Sequence, residues 1–244
     1  MLKKFVFTLL ILTFLGVGFA LFFSSKAAIV MDYFKLKITQ KYSVNDRLTQ
    51  FGTAVQQRLA ADFQQAGIAL PPAAITLLAF KDSKRLELYA ADPTGAWRQV
   101  KAYPIQAASG IPGPKLREGD RQVPEGIYNI ESLNPNSLFH VSLRLNYPNA
   151  FDRAMGAADG RENLGSDIMI HGKAQSIGCL AMGDEAAEEL FALAAWVGKE
   201  NVRVVIAPTD FRQAGRKFPL KMCLCGQQHS TRSCRLNWRN THNP

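Results

Sequence analysis

The sequence predicts a mainly β domain with two helices, set behind an N-terminal apolar segment. Three observations carry this. Short apolar runs separated by turn residues recur between residues 74 and 207, and helical spacing of apolar residues is confined to two stretches, 43–67 and 184–198. The third is a 19-residue uncharged run, 5–23, near the start of the chain.

The 244 residues are 47% hydrophobic and 20% charged, which excludes a collagen-like, low-complexity or wholly disordered chain. One run long enough to cross a bilayer excludes a multi-span transporter. Of the 29 basic residues, three lie in 1–31 and seven in 211–244, where no acid occurs, so nineteen remain against all twenty acids in 32–210. The presumptive domain is therefore close to neutral. A nucleic-acid-binding domain would carry its basic excess on the folded body, so no nucleic-acid partner is expected.

Taken in chain order, Lys3 and Lys4 precede the run 5–23, the order of both cleaved signal peptides and uncleaved anchors. Both export the rest of the chain. The run exceeds a usual signal core, and Ser25-Lys26-Ala27 is an imperfect cleavage site, so residues 1–26 are read as an inner-membrane anchor in preference to a removed signal. The chain is thus expected on the periplasmic face of the inner membrane, or free in the periplasm if cleaved.

Residues 27–72 are read as an amphipathic helical spacer segment whose helix packs on the domain or holds it away from the membrane, and carries no chemistry. Val44, Leu48, Phe51, Val55, Leu59 and Phe63 recur every three or four residues, Ser43 and Asp46 form a capping pair, and Gly67 stops the helix before Pro71-Pro72. Residues 73–210 are read as the main folded domain. Its first runs, 74–80, 86–90 and 97–103, are separated by Lys81-Asp82-Ser83 and Asp92-Pro93-Thr94-Gly95, an antiparallel meander. A Gly/Pro-rich loop from Gly110 leads to a strand at 127–130, and residues 138–145 alternate again. The polar, Gly-rich stretch 146–165 is expected to be a long surface loop that walls a cleft. A short strand ends at His171-Gly172, a helix with acids in its first turns runs from Asp184 to Gly198, and a buried strand closes the domain at 202–207. Residues 211–244 are a basic, Cys-containing tail.

The chemistry concentrates in Ile170-His171-Gly172-Lys173-Ala174-Gln175-Ser176-Ile177-Gly178-Cys179-Leu180-Ala181-Met182, where a strand-end His and a Cys eight residues on share a Gly-containing loop. A thiolate attacks carbonyl carbon well but needs a neighbouring base to form near neutral pH. His171 is placed to take the thiol proton from Cys179 and later to protonate a departing amine. Backbone N–H groups near Gly178 and Cys179 are candidate oxyanion donors. A buried structural Cys and a satisfied strand-end His would have the same spacing.

This string resembles the signature of the L,D-transpeptidase (YkuD-type) catalytic domain: His-Gly, a short gap, then Ser-x-Gly-Cys, an apolar residue and Met. Lys115-x-x-Glu118-Gly119-Asp120 and Pro124-Glu125-Gly126-Ile127-Tyr128 are similar to the family's segment leading into the active site. Ile177 and Ala181 stand where the commoner form has His and Arg, and the gap is short, as in the compact branch. The resemblance implies a β-sandwich and acyl transfer on peptidoglycan stem peptides, without cofactor or metal. Cys179 matches the nucleophile and His171 the base, while Ser176, Gly178 and Gly172 match the orienting and oxyanion loop. For the compact branch it also implies hydrolysis of the amide joining a wall peptide to a lysine amine, with a wall-attached lipoprotein as a further partner.

Lys115, Tyr128, Tyr147 and Arg161 lie in or beside cleft-forming loops and are candidate contacts to an anionic, sugar-bearing polymer, though solvated loop positions would look the same. His140 is expected to be a surface histidine. Cys223, Cys225, His229 and Cys234 do not follow zinc spacing, so a disulfide or a disordered tail is preferred over a metal. The alternatives to a transferase are a murein peptide amidase acting through the same thioester and a non-catalytic wall-binding module. A zinc amidase is disfavoured because the ligand motifs are absent.

Overall fold

Ser43 starts the first helix chemically as well as geometrically. Its side chain accepts the Asp46 N–H while Asp46 accepts the Ser43 N–H, satisfying two donors that a helix start otherwise leaves bare. In the computed structural model, which describes residues 41–212, this helix, α1, runs Val44–Ala66 and ends on Gly67 at φ +67. Phe51, Val55, Leu59 and Phe63 form its buried stripe. Each such side chain stabilises the docked helix by about 1.5–3 kcal/mol, so α1 is part of the domain and not a spacer. The apolar run 5–23 and the cysteine cluster of the tail lie outside the described residues. Among the described residues no helix is long and apolar enough to cross a membrane.

The strands are β1 (Ala74–Phe80), β2 (Arg85–Ala91), β3 (Trp97–Pro104), β4 (Ala107–Ala108), β5 (Gly126–Ser137), β6 (His140–Leu145), β7 (Met169–His171), β8 (Leu180–Ala181) and β9 (Val202–Ala207). They form one mixed sheet in the order β3-β2-β1-β9-β5-β6-β7-β8-β4, a half-barrel and not the sandwich expected from the sequence. The cause is β5. Its first residues pair with β9 and the rest with β6, with register shifts at Ile130/Ser132 and Asn134/Ser137. Such irregularities bend and twist a strand, so one long strand joins what would otherwise be two sheets. The β1–β2–β3 meander is antiparallel as predicted, while β1 pairs with β9 in parallel.

Two further helices complete the fold: α2 (Ala150–Ala158) and α3 (Asp184–Val197). The stretch 146–165 therefore holds a helix and is not one long loop. Asn149 and Asp152 form a second reciprocal capping box, so local hydrogen bonding starts α2, a helix of which Gly156 alone is buried. Helices α1 and α3 share the main core with one face of the sheet, including Ile75, Leu77, Leu88, Leu143, Ile170, Leu190 and Phe191. A smaller cluster of Leu78, Phe80, Val205 and Ala207 buries the other face of β1 and β9.

Charges buried at the α1–α3 contact are paired. Glu189, 3% exposed, receives Arg58 at 2.9 Å, Lys101 at 2.9 Å and the Tyr103 hydroxyl at 2.9 Å. Lys81 pins the loop before β5 by donating to Gly113 O and Val123 O at 2.6 and 2.7 Å beside Glu125.

Candidate active site

Strands β7 and β8 lie parallel, with Ile170 opposite Leu180 and His171 opposite Ala181. The eight residues between them loop out and back, so His171 ends one strand and Cys179 immediately precedes its neighbour. Strand β4 pairs antiparallel with β8 on the far side, and Gln106 N donates to Ala181 O at 2.8 Å.

His171 is 2% exposed and its Nδ1 is 2.6 Å from Gly172 O. A carbonyl only accepts, so Nδ1 carries the proton and Nε2 keeps its lone pair. Phe139 packs on the ring at 4.6 Å. Burial lowers the imidazole pKa, against a smaller upward pull from the Gly172 carbonyl. The result is a neutral base near pH 7. Gly172 orients the imidazole through that carbonyl, and its N–H donates to Phe139 O at 3.0 Å. A side chain there would meet Asp184 Oδ1 at 2.5 Å and Phe139 O at 2.7 Å, so only glycine fits.

Cys179 is half-buried, and its Sγ donates to Asp167 O at 3.6 Å. Burial pushes the thiol pKa up and the Asp167 carboxylate adds to this, opposed by the Met169 N–H and the Lys115 charge. The resting group is a thiol. No hydrogen bond joins it to His171 in this structure, so the imidazole does not hold a thiolate at rest.

Ser176 ties the loop. Its hydroxyl donates to Cys179 O at 2.6 Å and accepts from Cys179 N at 3.1 Å, Gly178 N at 3.3 Å and Ser109 N at 3.3 Å. The N–H groups expected to face an oxyanion are thus turned to Ser176. Gly178 has φ +130, open to glycine but strained for any side chain.

The four candidate contact residues serve the frame. Tyr128 is 1% exposed, with its hydroxyl on Glu125 O and Asp152. The buried Tyr147 hydroxyl donates to Leu164 O at 2.9 Å. Lys115 is buried in an ion pair with Asp120 at 2.7 Å and reaches the site through its field on the thiol. These three do not face open solvent, because each polar tip has an internal partner. Arg161 pairs with Asp159 at 2.7 Å and donates to Leu116 O, and with Arg153, Ala157 and Leu164 it walls an open depression of about 500 Å³.

Sequence reasoning missed Phe139, Asp167 and Ser109. Asp167 has φ +59, unusual for a residue with a side chain, which aims its carbonyl at the thiol. No linear pattern marks these three; their roles arise from pairing across strands. His140 is also not a surface residue: it is part-buried, with Nε2 2.9 Å from Glu188. Among the described residues no cluster of His, Cys, Asp and Glu could hold a metal.

Comparison with known proteins bears on the same segment. YafK of Escherichia coli (strain K12), a candidate L,D-transpeptidase, is 35% identical over 143 residues, 57% of this chain and 55% of that protein. The chain therefore spans about half the length of the curated relatives it matches. The helical cell shape determining protein Pgp2 of Campylobacter jejuni is similar at 24% identity with TM-score 0.45, over 56% of this chain and 48% of that one. L,D-transpeptidase 1 of Mycobacterium tuberculosis is similar at 14% identity with TM-score 0.32, over 55% and 62% of the respective chains. The profile of the YkuD L,D-transpeptidase catalytic domain matches residues 77–206, more than half of the chain and the whole of the site described above, and the protein belongs to that family.

Proposed function

We propose that the chain is an exported, cysteine-dependent acyl transferase acting on peptidoglycan stem peptides. The observation that supports this most is the parallel pairing of β7 with β8, whose register sets Cys179, the residue before Leu180, level with Met169 and so two residues along the neighbouring strand from His171. Family membership supports the reaction class.

In this reading Sγ leaves the Asp167 carbonyl, turns towards Nε2 of His171 and gives up its proton as it attacks a peptide carbonyl carbon. The C–S bond forms and the carbonyl oxygen becomes an oxyanion. The N–H groups of Gly178 and Cys179 exchange their long bonds to a neutral hydroxyl for charge-assisted ones, which are roughly twice as strong. Collapse breaks the C–N bond, His171 protonates the departing amine, and a thioester remains on Cys179. An amine that attacks the thioester makes a new cross-link; water makes a free acid. His171 removes the acceptor's proton in either case.

Lys3, Lys4 and the run 5–23 support export and anchoring at the inner membrane. The test is incubation of the purified chain with defined muropeptides, with and without an acceptor amine, and weighing of the products. A cross-linked mass that requires the amine supports transfer, and a free acid in its absence supports hydrolysis. Unchanged muropeptides, with the protein still sedimenting on sacculi, would overturn catalysis in favour of a binding module.

A further inference from the structure

The geometry points to His140 as a positioning residue through which helices α1 and α3 hold the catalytic imidazole in place. The inference rests on the assignment of His171 as the base.

Phe139 ends the β5–β6 turn and His140 opens β6, and the two side chains face different partners. Phe139 lies against the His171 ring at 4.6 Å, and its carbonyl accepts the Gly172 N–H at 3.0 Å. The imidazole of His140 is 2.9 Å from Glu188 on α3, with Phe51 of α1 packed near its ring at 6.2 Å. Glu188 is in turn gripped by Arg58 of α1 at 2.8 Å. His140 itself has φ +76, a backbone that few residues with side chains adopt, so something outside the turn must hold it there. The pair with Glu188 supplies that hold.

A second carboxylate of α3 fixes the other side of the same segment. Asp184 Oδ1 accepts Lys173 N at 2.9 Å and Oδ2 pairs with Lys173 Nζ at 2.8 Å. Gly172 is thus clamped between the Phe139–His140 turn and Asp184, leaving no room for a Cβ. The charged groups around His140 are Glu188 and Asp184 from α3 and, through Glu188, Arg58 from α1. Since α1 precedes the segment that matches the family, a helix outside the matched domain bears on the orientation of its base.

The mechanism is mechanical. Losing the His140–Glu188 pair frees the turn, lifts Phe139 from the imidazole and admits water to Nε2. Burial now lowers the His171 pKa, so hydration returns it towards 6.5 and moves the acid limb of activity to higher pH.

The test compares full-length His140→Ala and His140→Gln with the native chain. Both variants keep a β-carbon at the same strained φ, but only the glutamine amide can still donate to Glu188. Readouts are kcat and KM on a defined muropeptide, the melting temperature, and the pH dependence of Cys179 alkylation by iodoacetamide, followed by peptide mass spectrometry. His140→Ala is expected to lower kcat by about tenfold to a hundredfold, the range that a small misplacement of a reacting group produces. KM should stay within about twofold because no substrate contact is lost. The acid limb should rise, and His140→Gln should recover most of both effects. Phe139→Leu, which leaves the His140–Glu188 contact intact, should reproduce the upward shift and serves should His140→Ala not fold. A folded His140→Ala with native kcat and an unmoved alkylation profile would overturn the proposal, as would equal impairment in Ala and Gln. Alkylation needs no muropeptide, so a native chain inactive on muropeptides would count against the proposed function while the alkylation profiles still decide the role of His140.

Discussion

The Ser176 hydroxyl donates to the carbonyl of Cys179 at 2.6 Å while accepting the N–H of the same residue at 3.1 Å. One side chain thus fixes both peptide units flanking Cys179. Ser176→Ala leaves those groups without an internal partner, and the expected loss is about 1–3 kcal/mol of stability. Turnover should fall by about tenfold or more because the oxyanion donors lose their preset direction. Urea unfolding and kcat on the same preparation check the two effects.

Asp167 presents a carbonyl to the thiol and a carboxylate to Arg144 at 2.8 Å. The carboxylate raises the thiol pKa after burial has done so. Asp167→Asn removes the charge, and asparagine tolerates the left-handed backbone well. Alkylation of Cys179 at pH 7 should become faster by about twofold to tenfold as the thiol pKa falls, and the gain should shrink in high salt. Unchanged or slower alkylation would contradict this.

His171 provides the sign of the acid response. Its folded pKa lies below 6.5 because the ring is buried. Between that lower value and 6.5 the unfolded chain binds a proton that the folded chain refuses, so stability contributed by this group falls as pH drops through the window and levels off below it. The acid limb of kcat/KM should accordingly lie below 6.5. Denaturant midpoints between pH 5 and 8, compared with those of His171→Phe, isolate the contribution.

Glu189 holds α3 to α1 and β3. Glu189→Ala strands Arg58, Lys101 and Tyr103 in a largely buried contact, and breaking one partner of such a network costs about 3–5 kcal/mol. Glu189→Gln keeps two acceptor contacts and should cost less. Equal loss in the two variants would locate the stability elsewhere.

Much of the fold is legible in the sequence. Apolar spacing and the Ser43/Asp46 pair mark α1, and short apolar runs between turn residues mark the meander and β9. The same capping rule applied to Asn149 and Asp152 finds α2, but the polar and Gly-rich residues on either side of it conceal it. The single curled sheet depends on which strands β5 pairs with, a non-local matter that no run of residues records. His171 and Cys179 stand out because a short Gly-containing loop joins them. Tyr128 and Tyr147 escape a linear reading because their hydroxyls find partners distant in sequence, Asp152 and Leu164, and Lys115 because Asp120, five residues on, turns it inward; Phe139 and His140 act only through the strand pairing that brings them beside Gly172.

The most direct measurement is the intact mass of the protein mixed briefly with a defined muropeptide and quenched in acid. The account predicts an added mass equal to the acyl portion of the peptide, mapped to Cys179 and lost on treatment with hydroxylamine, with no adduct on Cys179→Ala that melts like the native chain. Product formed by Cys179→Ala at the native rate would contradict it.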